Sequence, residues 1–166
     1  MKKAVALPSE PSDAVRAYVR LVRAGERLHA EVSRELALHG LSASQFSALK
    51  ALRLSGRLVQ KDIAKKLLKT CGNITFLVDK LEAMELVVRE RDPSDRRVIF
   101  VKLTVKGEEL FDTLYPGHAA RIERVMSSLS EEQTSALLNL LETVLPDRSD
   151  TSLPVCASEN LDSKGH

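Results

Sequence analysis

Tryptophan is absent and aromatic residues make up only 4% of the 166-residue chain, although 43% of it is hydrophobic. The core must therefore be built largely from Leu, Val and Ala, which favours helices. Apolar runs are short as well: none reaches the roughly eighteen residues a membrane span requires, and no charged, apolar, small-residue leader opens the chain. Neither a membrane partner nor a secretory signal is expected, and a cytoplasmic location is. Cysteine is scarce, with Cys71 and Cys156 far apart and no C-x-x-C spacing. That argues against a disulfide framework or a structural zinc site and predicts reduced thiols. The histidines His29, His39, His118 and His166 form no i, i+4 ligand pair, so no metal site is expected. G-x-S-x-G, H-E-x-x-H, P-loop and glycine-rich dinucleotide turns are all missing, which predicts a protein that is not an enzyme and needs no cofactor.

Charge is present but unevenly spread. The whole chain carries a formal +2, yet Arg57 to Lys106 holds 12 Lys or Arg against 7 Asp or Glu, while the last twenty residues hold two basic and four acidic. A basic window in mid-chain is what a phosphate-binding surface requires, although a solvated charged face has the same composition.

The hydrophobic pattern divides the chain into one folded unit with loose ends. Residues 1–11 carry Pro8 and Pro11 and read as a flexible arm. From Ser12 to Leu38, Val15, Tyr18, Val19, Val22, Leu28, Val32 and Leu36 recur at three- and four-residue steps, the mark of a long helix that stops near Gly40. Ser42 and Gln45 form a capping box for a second helix ending at Gly56. A stub of strand near Leu58 and Val59 precedes a third, lysine-faced helix. After a break at Thr70-Cys71-Gly72, a fourth helix turns Ile74, Leu77, Val78, Leu81 and Leu86 inward and Asn73, Thr75, Phe76, Asp79 and Lys80 outward. Two short helices joined by a tight turn, the second with a polar face, form a helix-turn-helix pattern.

The period then changes to that of strands at Val87-Val88 and Val98 to Leu103, flanking a hairpin loop, Arg89 to Arg97, with Asp-Pro turn chemistry and four arginines. A basic hairpin after a helix-turn-helix reads as a wing. Thr104 caps a fifth helix that Pro116 is expected to kink or split, and Ser130 with Gln133 caps a sixth that Pro146 ends. From 147 to 166 periodicity is lost and a disordered tail is expected.

Three segments in order, Gly72 to Glu82, Asp92-Pro93-Ser94-Asp95-Arg96-Arg97 and Val101 to Gly107, resemble the recognition helix, wing and post-wing segments of the MarR (multiple antibiotic resistance regulator) family. Including the helix pattern, the likeness spans residues 12 to 145. The resemblance implies a mainly α fold with a small β wing. A winged helix-turn-helix over 41–104 would lie between dimerisation helices at 12–40 and 105–146. It implies a homodimeric repressor of double-stranded DNA, acting on a pseudo-palindromic operator. In many members a small aromatic acid or phenol sits in a crevice between the dimerisation helices and the DNA-binding lobe. Two departures stand out: Pro116-Gly117 lies in what is usually an unbroken helix, and a cysteine stands at position 71, just ahead of the recognition helix, whereas oxidant-sensing relatives usually carry their thiol in the first helix, which has none here.

On this basis Asn73, Thr75 and Lys80 are expected at base edges or phosphates, and Phe76 against a thymine methyl. Asp79, which phosphates repel, is expected to pair with a cation of the wing or helix and hold its geometry. Arg96 is assigned to the minor groove and Arg97 to a phosphate or to bracing with Asp95, although the two roles can be exchanged. Arg89, Arg91 and Ser94 complete the wing's DNA set. Lys61 and Lys65 are candidate phosphate contacts, as are Ser42, Ser44 and Gln45, which capping explains equally well. His39, Phe46 and Phe111 mark the region of an effector pocket. Cys71, near a helix N-terminus and Lys69, is a redox candidate that packing in a turn also explains. Two other readings stand beside the effector-released repressor: a redox-responsive repressor acting through Cys71, and a winged-helix module for protein assembly without DNA.

Overall fold

A computed structural model of the chain describes residues 10–95 and 97–144. Most of the expected arm, the expected tail, Arg96 and Cys156 lie outside the described residues. The elements run α1 (Asp13–Leu38), α2 (Ala43–Ser55), β1 (Arg57–Val59), α3 (Gln60–Leu67), α4 (Cys71–Ala83), β2 (Val87–Arg91), β3 (Ile99–Leu103), α5 (Val105–Met126) and α6 (Glu131–Val144). The fold is mainly helical with one small antiparallel sheet in the order β1-β3-β2.

Local chemistry sets most boundaries. Ser12 caps α1 by accepting from Val15 N, and Gly40, at φ +71, supplies the left-handed turn after its end. The α2 capping box is complete: Gln45 N donates to Ser42 Oγ at 3.2 Å and Ser42 N donates to Gln45 Oε1 at 2.7 Å. The same reciprocal pair joins Ser130 and Gln133 ahead of α6. Gly56, at φ +75, turns the chain out of α2 into β1.

Three features of the helices differ from the sequence expectation. First, α4 begins at Cys71, so Cys71 and Gly72 form its first turn instead of a break before it. Second, the turn is made at Leu68, which ends α3 in the left-handed conformation at φ 51. The Ala64 and Lys65 carbonyls at the end of α3 accept the backbone N–H groups of Lys69 and Leu68, which is enough to hold a leucine where glycine is usual. Third, α5 runs unbroken through Pro116. Proline removes one helical N–H, but nearby ties hold α5 in place: Arg53 of α2 grips Asp112 through both guanidinium arms at 3.1 Å, and Arg121 bonds Glu35 of α1 at 2.8 Å.

The core lies inside the helix-turn-helix lobe, where Leu36, Leu49, Leu52, Ile63, Ile74, Leu81, Val87 and Val101 are almost wholly buried. Burying such a side chain contributes about 1.5–3 kcal/mol, so this cluster is the main favourable term holding the lobe together. Gly107 lies where α5 meets the turn between α4 and β2: a Cβ there would sit 2.0 Å from the Leu86 carbonyl oxygen. Thr104 N donates to that same oxygen at 3.1 Å, and Thr104 Oγ1 donates to Glu85 O at 2.6 Å. The outer helices are buried far less. In α1 Leu36 is buried while Val15, Tyr18, Val19, Val22 and Leu28 are exposed, and α6 has no buried residue.

Candidate nucleic-acid interface

The functional face grows from α4. Ile74, Leu77, Val78 and Leu81 recur at helical spacing and are buried against the lobe, which leaves Asn73, Phe76, Asp79 and Lys80 on the outer surface. Phe76 is 64% exposed, and Lys80 Nζ lies 5.1 Å over its ring. An exposed aromatic with a cation above it is a costly surface to leave bare, since it exposes a flat apolar face to water. The face borders an open groove of about 940 Å³ between the end of α1, the start of α2 and α4, lined in part by Phe76, Asp79 and Lys80.

The sheet is tied to this helix. Arg89, on β2, donates to Asp79 Oδ1 at 2.6 Å and to Glu82 Oε2, while its backbone N donates to Glu82 Oε1 at 3.3 Å. Two carboxylates three residues apart share one side of α4, and a forked guanidinium matches both. The hairpin's orientation relative to α4 is thereby set by a charge-assisted network. Arg89, expected in the DNA set, is half-buried and paired in this network; Glu82 was missed, although its i, i+3 spacing from Asp79 signalled it.

At the hairpin tip, Asp92 accepts from Ser94 Oγ, from Ser94 N at 2.7 Å and from Asp95 N at 3.1 Å. These donors, the Ser94 hydroxyl first, hold the Asp92 carboxyl below the usual range and fold the turn around it. The Ser94 hydroxyl is therefore engaged by the turn. Asp95 accepts from the backbone N of Arg97 at 3.0 Å, and the exposed Arg97 guanidinium makes no ion pair among the described residues. The bracing expected between their side chains is thus made through the backbone. Arg91, at the end of β2, is exposed. The hairpin strands carry their own pairing, Lys102 with Glu90, and Arg57 stacks 4.1 Å from the Phe100 ring centroid.

Other expected positions divide. Lys61 and Lys65 are exposed on α3. Gln45 is only 8% exposed and forms the α2 cap with Ser42, and it lines the same groove as Phe76, Asp79 and Lys80. Ser42 remains exposed as the cap's other half, whereas half-buried Ser44 lines a cavity with Lys66 and Lys69. Thr75 Oγ1 lies 3.0 Å from Gln60 Oε1 on α3 and 3.3 Å from the Cys71 carbonyl. Cys71 is half-buried in the first turn of α4.

The expected pocket residues are placed differently. His39 is the exposed C-cap of α1, and Phe46 and Phe111 are buried core rings stacked at 5.3 Å. A cavity of about 340 Å³ lies instead between α1, α2 and α5, lined by His29, Val32, Ser47, His118, Ile122 and Met126 among others. His118 lies 4.7 Å from Phe46 with the two rings tilted by 55°, and its Nδ1 is buried with no hydrogen-bond partner among the described residues. Burial, and next the nearby Lys50, hold its imidazole below the usual histidine range, with Glu35 opposing.

Comparison with known proteins agrees with this geometry. The MarR family profile matches residues 41–99. The chain is 36% identical to the HTH-type transcriptional regulator MhqR of Bacillus subtilis over 76% of its own length and 88% of that protein. It is 31% identical to the HTH-type transcriptional repressor NicR of Pseudomonas putida over 84% and 89%. Among solved structures, AbsC, a MarR family regulator from Streptomyces coelicolor, superposes with a TM-score of 0.75 at 24% identity, covering 81% of this chain and 94% of AbsC. A cysteine-to-serine mutant of MarR from E. coli, complexed with operator DNA, gives 0.74 at 23% over 83% and 100%. BpsR of Bordetella bronchiseptica, whose DNA binding is regulated by 6-hydroxynicotinic acid, gives 0.70 at 28% over 78% and 98%. The chain is therefore a member of the MarR family, a winged helix-turn-helix transcriptional regulator with a DNA-binding role and not an enzyme.

Proposed function

We propose that the protein is a homodimeric cytoplasmic repressor that lays α4 of each subunit in successive major grooves of a pseudo-palindromic operator and sets the β2–β3 hairpin against the flanking minor groove. The observation that carries this reading is the braced face itself: an exposed Asn73, Phe76 and Lys80 on a helix whose other side is core, tied through Arg89 to an arginine-bearing hairpin. Arg96 and Arg97 supply the hairpin's charge and Lys61 and Lys65 the flanking phosphate contacts, while Arg89, Asp79 and Glu82 fix geometry.

A second copy is the occupant proposed for the apolar side of α1 and for α6. Val15, Val19 and Val22 form one exposed stripe on α1, and Leu138, Leu140 and Val144 are exposed on α6. A lone subunit would leave this surface in water, and an isologous pair would bury it while setting the two α4 helices about one DNA turn apart, roughly 34–36 Å. Effector release fits the cavity between α1, α2 and α5, which joins the outer helices to the DNA-binding lobe. Its 340 Å³ matches a small aromatic molecule, and neutral His118 offers an unused nitrogen to one. A ligand that binds there more tightly when the two lobes are apart would lower operator affinity.

The test is a footprint on DNA upstream of the protein's own gene, followed by titration of the recovered duplex at several salt concentrations. Affinity should fall steeply with salt, and Arg97→Ala should reduce the slope of log affinity against log salt by about 1. Loss of α1's stripe in Val22→Asp should give monomers by light scattering and abolish operator binding. A protein that binds without salt dependence or sequence preference would return the assembly-module reading to the front.

A further inference from the structure

We propose that Gln60 contacts DNA, donating its side-chain N–H groups to a backbone phosphate at the rim of the groove that α4 enters, and that Thr75 acts through Gln60 as a positioning residue and does not read a base itself. The proposal rests on the DNA-binding reading of α4 and adds a contact that no motif in the sequence marks.

Gln60 is the first residue of α3, half-buried, and its Oε1 lies 3.0 Å from Thr75 Oγ1. A hydroxyl has one proton to give. The shorter distance, 3.0 Å against 3.3 Å to the Cys71 carbonyl, assigns it to Gln60. With its oxygen engaged, the carboxamide plane is set, and its two N–H donors point away from Thr75 with no acceptor among the described residues. Thr75 stands on the exposed side of α4, next to Asn73 and Phe76, so the contact lies on the outer face, at the junction of the two helices.

The surroundings select an anion. Lys61 follows Gln60, Lys65 lies one helical turn further on, and both are exposed with no ion pair among the described residues. A neutral donor beside two cations suits a phosphate oxygen, which takes several hydrogen bonds. A donor held by a second side chain also loses less freedom on binding than a free glutamine, so the pair gains affinity by being preset.

The experiment measures operator affinity by fluorescence anisotropy for Gln60→Ala, Gln60→Glu, Thr75→Val, Thr75→Ser and the Gln60→Ala/Thr75→Val double variant, on the duplex recovered by footprinting. Gln60→Ala should bind about tenfold more weakly, the loss of one hydrogen bond to a charged group. Gln60→Glu should be weaker still because a carboxylate then faces phosphate. The salt slope of Gln60→Ala should match the parent, since a neutral amide releases no counterion. Thr75→Val should resemble Gln60→Ala, the double variant should be no worse than either, and Thr75→Ser, which keeps the hydroxyl, should restore binding. The loss in Gln60→Ala should be equal across operators altered one base pair at a time. Parent-like binding by Gln60→Ala overturns the proposal, as does a loss confined to one base pair, or a Thr75→Val defect that is additive with it. Lys80→Ala separates the two levels: if it also binds normally, the α4 reading fails, whereas if it alone is impaired, only the role of Gln60 does.

Discussion

Replacing Gly107 by alanine sets two physical effects against each other, and the distances decide which wins. Gly107 is the third residue of α5, where alanine ordinarily stabilises a helix by up to about 1 kcal/mol relative to glycine. Here the added Cβ would meet the Leu86 carbonyl oxygen at 2.0 Å and the Leu86 carbonyl carbon at 3.0 Å. Both are backbone atoms, so no side chain can swing aside. Relief demands a shift of more than about 1 Å to reach ordinary contact, near 3.3–3.6 Å for carbon against oxygen. That shift loosens the bond from Thr104 N to Leu86 O and the bond from Thr104 Oγ1 to Glu85 O. Each lost bond costs about 1 kcal/mol and overpacking costs about 1–3 kcal/mol. Against the helix gain, the net is a destabilisation of about 2–4 kcal/mol. At roughly 2–4 °C per kcal/mol, the midpoint of thermal unfolding should fall by about 5–15 °C. Calorimetry at fixed protein concentration measures this, because association also moves the midpoint. Gly72→Ala is the control: no atom lies within 4 Å of its Cβ and it too is helical, so it should be neutral or stabilising by up to about 1 kcal/mol. A Gly107→Ala protein as stable as the parent, or more so, would refute the reasoning.

Arg89→Ala should cost about 1–2 kcal/mol in denaturant unfolding, more than an exposed pair because Arg89 is only 23% exposed, yet screened because Asp79 is 56% exposed. Its operator affinity should fall further than its stability, and Arg89→Lys should not restore it, since an ammonium cannot fork between Asp79 and Glu82. His118 titrates below its usual range, so the unfolded chain takes up that proton first and stability should decline as pH falls below about 6.5. His118→Phe should flatten that decline, and an unchanged pH profile of the denaturation midpoint would refute it. Leu68→Gly should be neutral or stabilising by up to about 1 kcal/mol in the same measurement, because leucine is strained at φ 51 and its side chain is 80% exposed.

Much of this protein could be read from residue order alone, and the reason is that the determinants were local. A capping box at Ser42 and Gln45, the three- and four-residue recurrence in α4 and the switch to β-branched residues at Val98 each act over one or two turns of chain, so spacing suffices to find them. The ordered recognition-helix, wing and post-wing motifs named the family for the same reason. What depended on contacts between distant segments could not be found that way. Arg89 looked like one more wing cation until the fold brought it to Asp79 and Glu82. The contact of Thr75 with Gln60, fifteen positions earlier on α3, has no signature in spacing. Gly107 was legible as part of a motif, but the Leu86 oxygen that forbids a side chain lies in a different turn. His118 shares no local pattern with Phe46 or His29, and the cavity beside it exists only because α1, α2 and α5 meet imperfectly there. Sequence determined which segments coil, which extend and which side of each is apolar, because those preferences arise within a few residues. Tertiary structure decided which charges are neutralised, which hydroxyl is engaged and where space is left, because a side chain's partners are set by where distant backbone comes to rest.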